Sequence, residues 1–495
     1  MDEGSDGYDR IATRDRSVNV TDGPLLVPML VLAAPVVLAY TLDMVYYLVD
    51  LYWIGYLGTD GVAAVSYAWP IVFLFSSLGL GITTAGTVLV AQAKGAGRRR
   101  EADRIAGQTL TVITAFAAVI AVAGYLFAPV AVTMIGATPG TNPHEWAIAY
   151  VRLTFLGMVP MFWFFAFDAL SRGWGDTRTP LYLVSLSVAV NVLIDPFVIL
   201  GFADNPVFRA LGAAALGELL YGATGFEGYG VAGAAGATVF SRTIGAVIGL
   251  WLLFDGSIGL AVEPNSLSPS VEPIRRIGHV GVPTAAEMGL RAGGIAVLTA
   301  IIAMEGDTAI AAYGISEYLA ALLLLPAIGL ARGIETVVGQ NLGGGLTARA
   351  WRAVGLGAGV VVVAFVLVIA AAYPLAESIV AVFLSAESDG RETAEVIRIA
   401  AAFVWIVGPA YVLLGVFHVI LGAFRGSGHT RLALLFAAVE LWAIRIPLSL
   451  AALLWVGTDV VGVWYAFAIA YVVSTVLVLG WFLRGTWTVP FDAAR

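Results

Sequence analysis

The sequence predicts an all-α polytopic membrane protein: twelve transmembrane helices in two pseudo-symmetric six-helix lobes around a central cavity. Three observations lead there. Of 495 residues, 60% are hydrophobic and 12% charged, and the mean hydropathy is +0.90, too apolar for a chain exposed to water. Apolar windows about 20 residues long recur along it, each sufficient to cross a hydrocarbon core of roughly 30 Å as a helix. A short text is also written twice, RGWGDTR at 172–178 and RGSGHTR at 425–431.

In chain order, residues 1–24 carry Asp2, Glu3, Asp6, Asp9, Asp15 and Asp22 and lack the apolar core of a signal peptide, so a disordered cytoplasmic tail is expected. Spans follow at 26–57, 60–93, 103–135, 145–170, 179–202 and 228–255, giving a first lobe over 25–255. A cytoplasmic linker at 256–276 leads to spans at 277–304, 308–340, 349–374, 393–423, 430–456 and 459–484, a second lobe over 277–484. Residues 485–495 form a second cytoplasmic tail. Connections alternate in charge. One set holds Lys94, Arg98, Arg99, Arg100, Arg172, Arg178, Arg275, Arg276, Arg349, Arg352, Arg425 and Arg431; the other holds Asp60, Glu145, Asp204, Glu227, Glu305, Glu387, Asp389 and Asp459. The positive-inside tendency makes the first set cytoplasmic and puts both termini inside, in a multi-pass protein of the plasma membrane.

The halves align. Arg172 and Arg425 differ by 253 positions, while VAQAKGAG at Val90 and VGQNLGGG at Val338 differ by 248, as do Pro35 and Pro283. An even number of spans per half makes the repeat parallel, about an axis along the membrane normal, and such halves enclose a cavity opened alternately to each side. The arginines of the doubled text are expected to be topological and structural, holding loops at the cytoplasmic surface.

Composition excludes much chemistry. There is no cysteine, and His144, His279, His418 and His429 stand apart, without metal-ligand spacing. Lys94 is the sole lysine and no G-x-x-x-x-G-K-[ST] loop occurs, so no nucleotide phosphate is cradled here. No cofactor and no enzymatic activity are expected. A net charge of −8 argues against nucleic acid, and acidic loops with arginine almost replacing lysine suggest a salt-adapted source.

Charges inside the spans carry the functional argument, because each costs about 2.5–3.5 kcal/mol on insertion scales and asks for a partner or a role. Asp43, Tyr46 and Asp50 share one face of the first span, and Asn191 and Asp195, four apart, share a face of the fifth. Two carboxylates with an amide, a phenol and a hydroxyl supply oxygens for Na+, or hold a shared proton. A structural account remains open: Asn191 capping a kink before Pro196, Asp43 meeting backbone near Pro35, Asp50 facing water. In the second half the aligned positions are Leu298 and Ile446, so a carboxylate site there is not expected. Glu287, Arg291, Glu440 and Arg445 are intramembrane too, and pairing across helices or a functional role suits them equally.

The motifs VDLYWIGYLG at Val49, SRGWGDTRTPL at Ser171, NVLIDPFVILG at Asn191, GVAGAAGATVFS at Gly230 and FRGSGHT at Phe424 resemble the multidrug and toxic compound extrusion (MATE) family over essentially the whole chain after the tail. The N-x-x-x-D-P motif is similar to its branch named for DNA-damage-inducible members, archaeal ones included. The resemblance implies export of amphiphilic organic cations in exchange for H+ or Na+. It implies an ion-coupling cluster of Asp50, Asn191, Asp195 and Thr238, the set that would take Na+, and a cavity polar network of Tyr46, Tyr150 and Asp43, with Pro35 as a helix-bending residue. Departures are Leu51, where the family has threonine after the acid, and a connection over 202–227 longer than usual. Besides the exported cation only membrane lipids are expected as partners, and a monomer. Two other readings are a lipid-linked saccharide flippase of the same superfamily, kept open by Arg291 and Arg445, and an intramembrane prenyltransferase, disfavoured because PFVILGF rather than further acids follows Asp195.

Overall fold

A computed structural model of the chain describes residues 17–383, 390–457 and 459–489. The expected tails at 1–16 and 490–495, and the loop acids Glu387 and Asp389, lie outside the described residues. In order, the helices are α1 Leu26–Gly55, α2 Thr59–Gly95, α3 Arg99–Met134, α4 Asn142–Leu156, α5 Met158–Trp174, α6 Arg178–Leu200, α7 Pro206–Ala210, α8 Ala214–Thr224 and α9 Gly230–Asp255. There follow α10 Val271–Ala303, α11 Asp307–Gly343, α12 Thr347–Ala372, α13 Ala376–Ala381, α14 Gly390–Ile406, α15 Gly408–Gly426, α16 Thr430–Ala438, α17 Ile446–Leu454 and α18 Val460–Phe482.

Eleven stretches among the described residues are long and apolar enough to cross a membrane, and α4 with α5, bent by 54°, supplies a twelfth. The fold is therefore the all-α, twelve-span architecture read from the sequence. Glycine sets the break in the fourth span: a Cβ at Gly157 would stand 2.3 Å from Val239 Cγ2 of α9. A π turn, Val439–Arg445, separates α16 from α17.

Packing divides the chain into two compact units. The first takes Leu38–Thr87 and Arg99–Gly278; the second takes Val18–Val37, Val88–Arg98 and His279–Arg495. The lobes counted from the sequence, 25–255 and 277–484, are drawn at loops, whereas these units exchange helix ends. The beginning of α1, with Pro35, packs in the second unit, as does the end of α2.

In the first unit the expected linker is docked along α3. Asp103 Oδ1 accepts from Ala261 N at 2.9 Å, Gln108 Nε2 donates to Ser268 O at 2.8 Å, Thr111 Oγ1 donates to Leu267 O at 2.7 Å, and Arg276 pairs with Glu101 at 2.7 Å. In the second unit the tail expected to be disordered through residue 24 is fixed from Val18 onward. Val20 is fully buried, and its carbonyl accepts from Asn341 Nδ2 at 3.1 Å and Arg349 Nε at 3.0 Å. Those donors override the local lack of apolar residues. The repeated helix ends meet there reciprocally: a Cβ at Gly95 would fall 1.8 Å from Gln340 O, and one at Gly343 would fall 2.1 Å from Gln92 O.

The doubled text now has a physical reading. Its first glycine admits backbone, since a Cβ at Gly173 would lie 2.5 Å from Thr87 O and one at Gly426 would lie 2.3 Å from Glu335 O. Its second, Gly175 or Gly428, takes a positive φ of 95° or 87°, where a side chain would be strained. Its leading arginines are buried in ion pairs, which agrees with the structural part of their expected role and corrects their placement in surface loops. Arg172 pairs with Asp168 at 2.9 Å. Arg425 pairs with Glu287 at 2.9 Å and lies 3.5 Å from Glu335, which Arg332 meets at 3.2 Å. A charge at this depth persists because it is paired.

Candidate functional site

Four helices of the first unit assemble the predicted cluster. Tyr46 and Asp50 come from α1, Tyr150 from α4, Asn191 and Asp195 from α6, and Thr238 from α9. Asn191 and Asp195 are fully buried, and none of the other four exceeds 8% exposure. One turn of α6 separates Asn191 from Asp195, so its Nδ2 donates to Asp195 Oδ1 at 2.9 Å. The Tyr46 and Thr238 hydroxyls are hydrogen-bonded to each other, which joins α1 to α9. The Asp50 carboxyl lies against Asp195, Tyr46 and Thr238, and Tyr150 adjoins both acids. Glycine permits this convergence of α6 and α9: a Cβ at Gly233 would stand 2.5 Å from Val198 O.

Six of the eight predicted residues are thus together. Pro35 is inside α1 but in its second-unit portion, three residues before packing passes to the first unit at Leu38. Asp43 is beside the cluster and has a cation of its own, Arg242 Nη2 at 2.5 Å. The guanidinium of Arg242 also stands 5.5 Å from the Tyr46 ring and 5.2 Å from that of Phe164. The sequence reading missed Arg242. Its signal was present, because Arg242 is one turn beyond Thr238 on α9 and so on the same face.

The donor set suits a small hard cation or a proton. Asp50 Oδ1, Asn191 Oδ1 and Asp195 Oδ2 are buried acceptors without a hydrogen-bond donor. Oxygens of this type, on two helices whose acids lie side by side, suit the oxygen ligation of an alkali ion, and either acid can instead carry a proton and donate it to its neighbour. Among the described residues no group of three or more His, Cys, Asp or Glu side chains could hold a metal ion.

Among the described residues of the second unit this arrangement is not repeated. Leu298 and Ile446, at the aligned positions, are part of its apolar core. Four of its intramembrane charges form two pairs: Glu287 with Arg425 across helices, and Glu440 with Arg445 Nε at 3.0 Å. Those two are five residues apart, which the π turn brings to one face, and Arg445 Nη1 also donates to Tyr471 OH at 2.9 Å.

The chain matches the MatE family model twice, over residues 35–197 and 283–451. It is 27% identical over 458 residues to the probable multidrug resistance protein YoeA of Bacillus subtilis, covering 90% of this chain and 91% of that one. To the probable multidrug resistance protein NorM of Thermotoga maritima it is 24% identical, covering 92% of each. Its fold superposes on a MOP superfamily transporter from Pyrococcus furiosus with a TM-score of 0.84 at 19% identity, over 95% of this chain and 98% of that one.

Proposed function

The chain belongs to the MatE family, and on that premise we propose that it is an efflux transporter that exports amphiphilic organic cations by antiport with H+ or Na+. The names of its relatives, multidrug resistance proteins, support the efflux part of the reading. One observation carries the coupling part: two buried carboxyls, Asp50 and Asp195, in contact on different helices with acceptor oxygens left undonated around them. Two ionised carboxylates in that position repel, and one positive charge between them removes the repulsion. Loading therefore favours one arrangement of α1 against α6 and unloading another. Linkage then requires ion and drug to weaken one another's binding by equal factors.

Pro35 is suited to pass that change along α1, because a proline removes one bond of the helix ladder. Asn191 Nδ2 keeps Asp195 oriented in both states, and the Tyr46–Thr238 bond keeps α9 with α1. Asn191 and Asp195 support placement in the branch of DNA-damage-inducible members. With the basic loops cytoplasmic, both termini lie inside the plasma membrane, and the protein works as a monomer in contact with lipid.

The test is export of ethidium from proteoliposomes under an imposed pH gradient or an imposed Na+ gradient, each alone. Export driven by one of them is the expected result. Export insensitive to both refutes antiport.

A further inference from the structure

The connection between α6 and α9 has no part in the mechanism above, yet it is a built structure. Chain leaves and returns through a narrow neck, where Phe202 N donates to Phe226 O at 3.1 Å and Tyr229 N to Val198 O at 2.8 Å. Gly201 and Gly228 form the neck with positive φ values of 71° and 87°. A Cβ on either would strike the opposite backbone, 2.3 Å from Glu227 C and 2.4 Å from Ile199 O. Within the connection Phe208 packs 5.3 Å from the ring of Phe197, a residue of α6, and Phe226 packs 5.4 Å from that of Phe202.

Asn205 is the polar centre of this segment and is 2% exposed. Its Nδ2 donates to two carbonyls at the end of α6, Pro196 at 2.8 Å and Gly201 at 2.6 Å. Its Oδ1 accepts from Val207 N at 3.0 Å and caps α7. Immediately before it, Asp204 is the one non-glycine residue with positive φ, 48°, among those described. That conformation is rare for L-residues and tolerated best by Asp and Asn, and here it turns Asn205 inward.

The position of the held carbonyl matters. Pro196 follows Asp195 directly, and a helix missing a ladder bond at proline deforms there most easily. The bond missing at Pro196 would run back to Val192 O, so Asn205 holds α6 immediately after its softest place, at the carbonyl of the residue that follows the acid. Capping α7 needs only Oδ1; the two bonds donated to α6 are additional.

We propose that the segment 202–227 is a clamp on α6 and that Asn205 is a positioning residue: by holding the Pro196 and Gly201 carbonyls it sets where the Asp195 carboxyl stands against Asp50, and so how tightly the pair takes its cation. This rests on the coupling role assigned to Asp195 in the proposed function. The clamp acts through the backbone and touches neither ion nor drug.

The experiment compares wild type, Asn205→Ser, Asn205→Asp and Asp195→Asn in proteoliposomes, titrating the driving ion and recording its half-activating concentration together with KM for ethidium. Serine and aspartate both still cap α7, but serine has a single, shorter donor that cannot hold both carbonyls, and an ionised aspartate has none. The half-activating concentration shifts about fivefold or more in either variant, the scale of one or two lost hydrogen bonds, while KM for ethidium stays within about twofold. Elution and melting profiles like those of wild type establish that a variant is folded; if serine fails there, the isosteric aspartate decides. Unchanged ion dependence in a folded Asn205 variant, with Asp195→Asn having lost it, overturns the clamp and leaves the coupling reading intact. Unchanged ion dependence in Asp195→Asn overturns both.

Discussion

Asparagine at position 195 removes one charge and almost no volume, and it keeps the oxygen that Asn191 Nδ2 reaches at 2.9 Å. The expected product is a folded transporter that binds drug but no longer follows the ion gradient. Two unit charges about 4 Å apart interact by about 4 kcal/mol at an effective dielectric constant of about 20. A cation between two carboxylates gains attraction of that order from the second one, so its affinity for the remaining Asp50 falls by up to about a thousandfold. Asp195 is fully buried, so mobile salt screens little of this. The assay is initial ethidium export from proteoliposomes against the concentration of the driving ion, with ethidium binding followed by fluorescence anisotropy in the same preparations. Gradient-driven export with a wild-type half-activating concentration refutes the argument, because it means the second carboxylate adds nothing to ion binding.

Three further outcomes follow from the packing. Asp43→Asn leaves the buried Arg242 without its carboxylate, so thermal stability falls by about 3 kcal/mol while ion dependence survives; a loss of ion response as complete as in Asp50→Asn reverses that ranking. Arg425→Gln strands Glu287, which is 1% exposed, leaves Glu335 with Arg332 alone, and lowers stability by about 3–5 kcal/mol in a detergent melting assay. Adding Glu287→Gln to it restores part of the loss, and no restoration means the two do not form a working pair. Gly95→Ala and Gly343→Ala each place a methyl within 1.8 and 2.1 Å of a carbonyl oxygen, so both reduce the yield of folded protein to a similar degree. Tolerance of one alone disproves the reciprocal contact.

Much of the fold is legible in the sequence because lipid leaves few choices. A stretch that must satisfy all its backbone bonds internally is a helix, and its length is set by the bilayer. The acid cluster is legible for a related reason: Asp50, Asn191 and Asp195 are too costly in a span to be incidental, and helical spacing places them on faces. Arg242 escaped because it stands in a small-residue helix whose GAT motif drew attention to Thr238 instead. Arg172 and Arg425 escaped because an arginine at the end of a span looks the same in sequence whether it faces headgroups or an acid of another helix. The exchange of helix ends between the units has no local signature at all. It depends on Gly329 accepting Val37 and Gly333 accepting Ala33, contacts between residues nearly 300 positions apart in a chain of 495.

That exchange bears on how the protein is made. Val20, just before α1, leaves the ribosome long before its partners on α11 and α12, which lie 321 and 329 residues later. At roughly 5–20 residues per second, synthesis of that interval takes about a quarter of a minute to a minute. Throughout it α1 has part of its surface unmatched, so a segment translated well ahead of α11 and α12 is among the last to find its native neighbours. A nascent chain arrested before residue 341 lacks those partners, so the segment around Val20 cannot be fixed until α11 is complete.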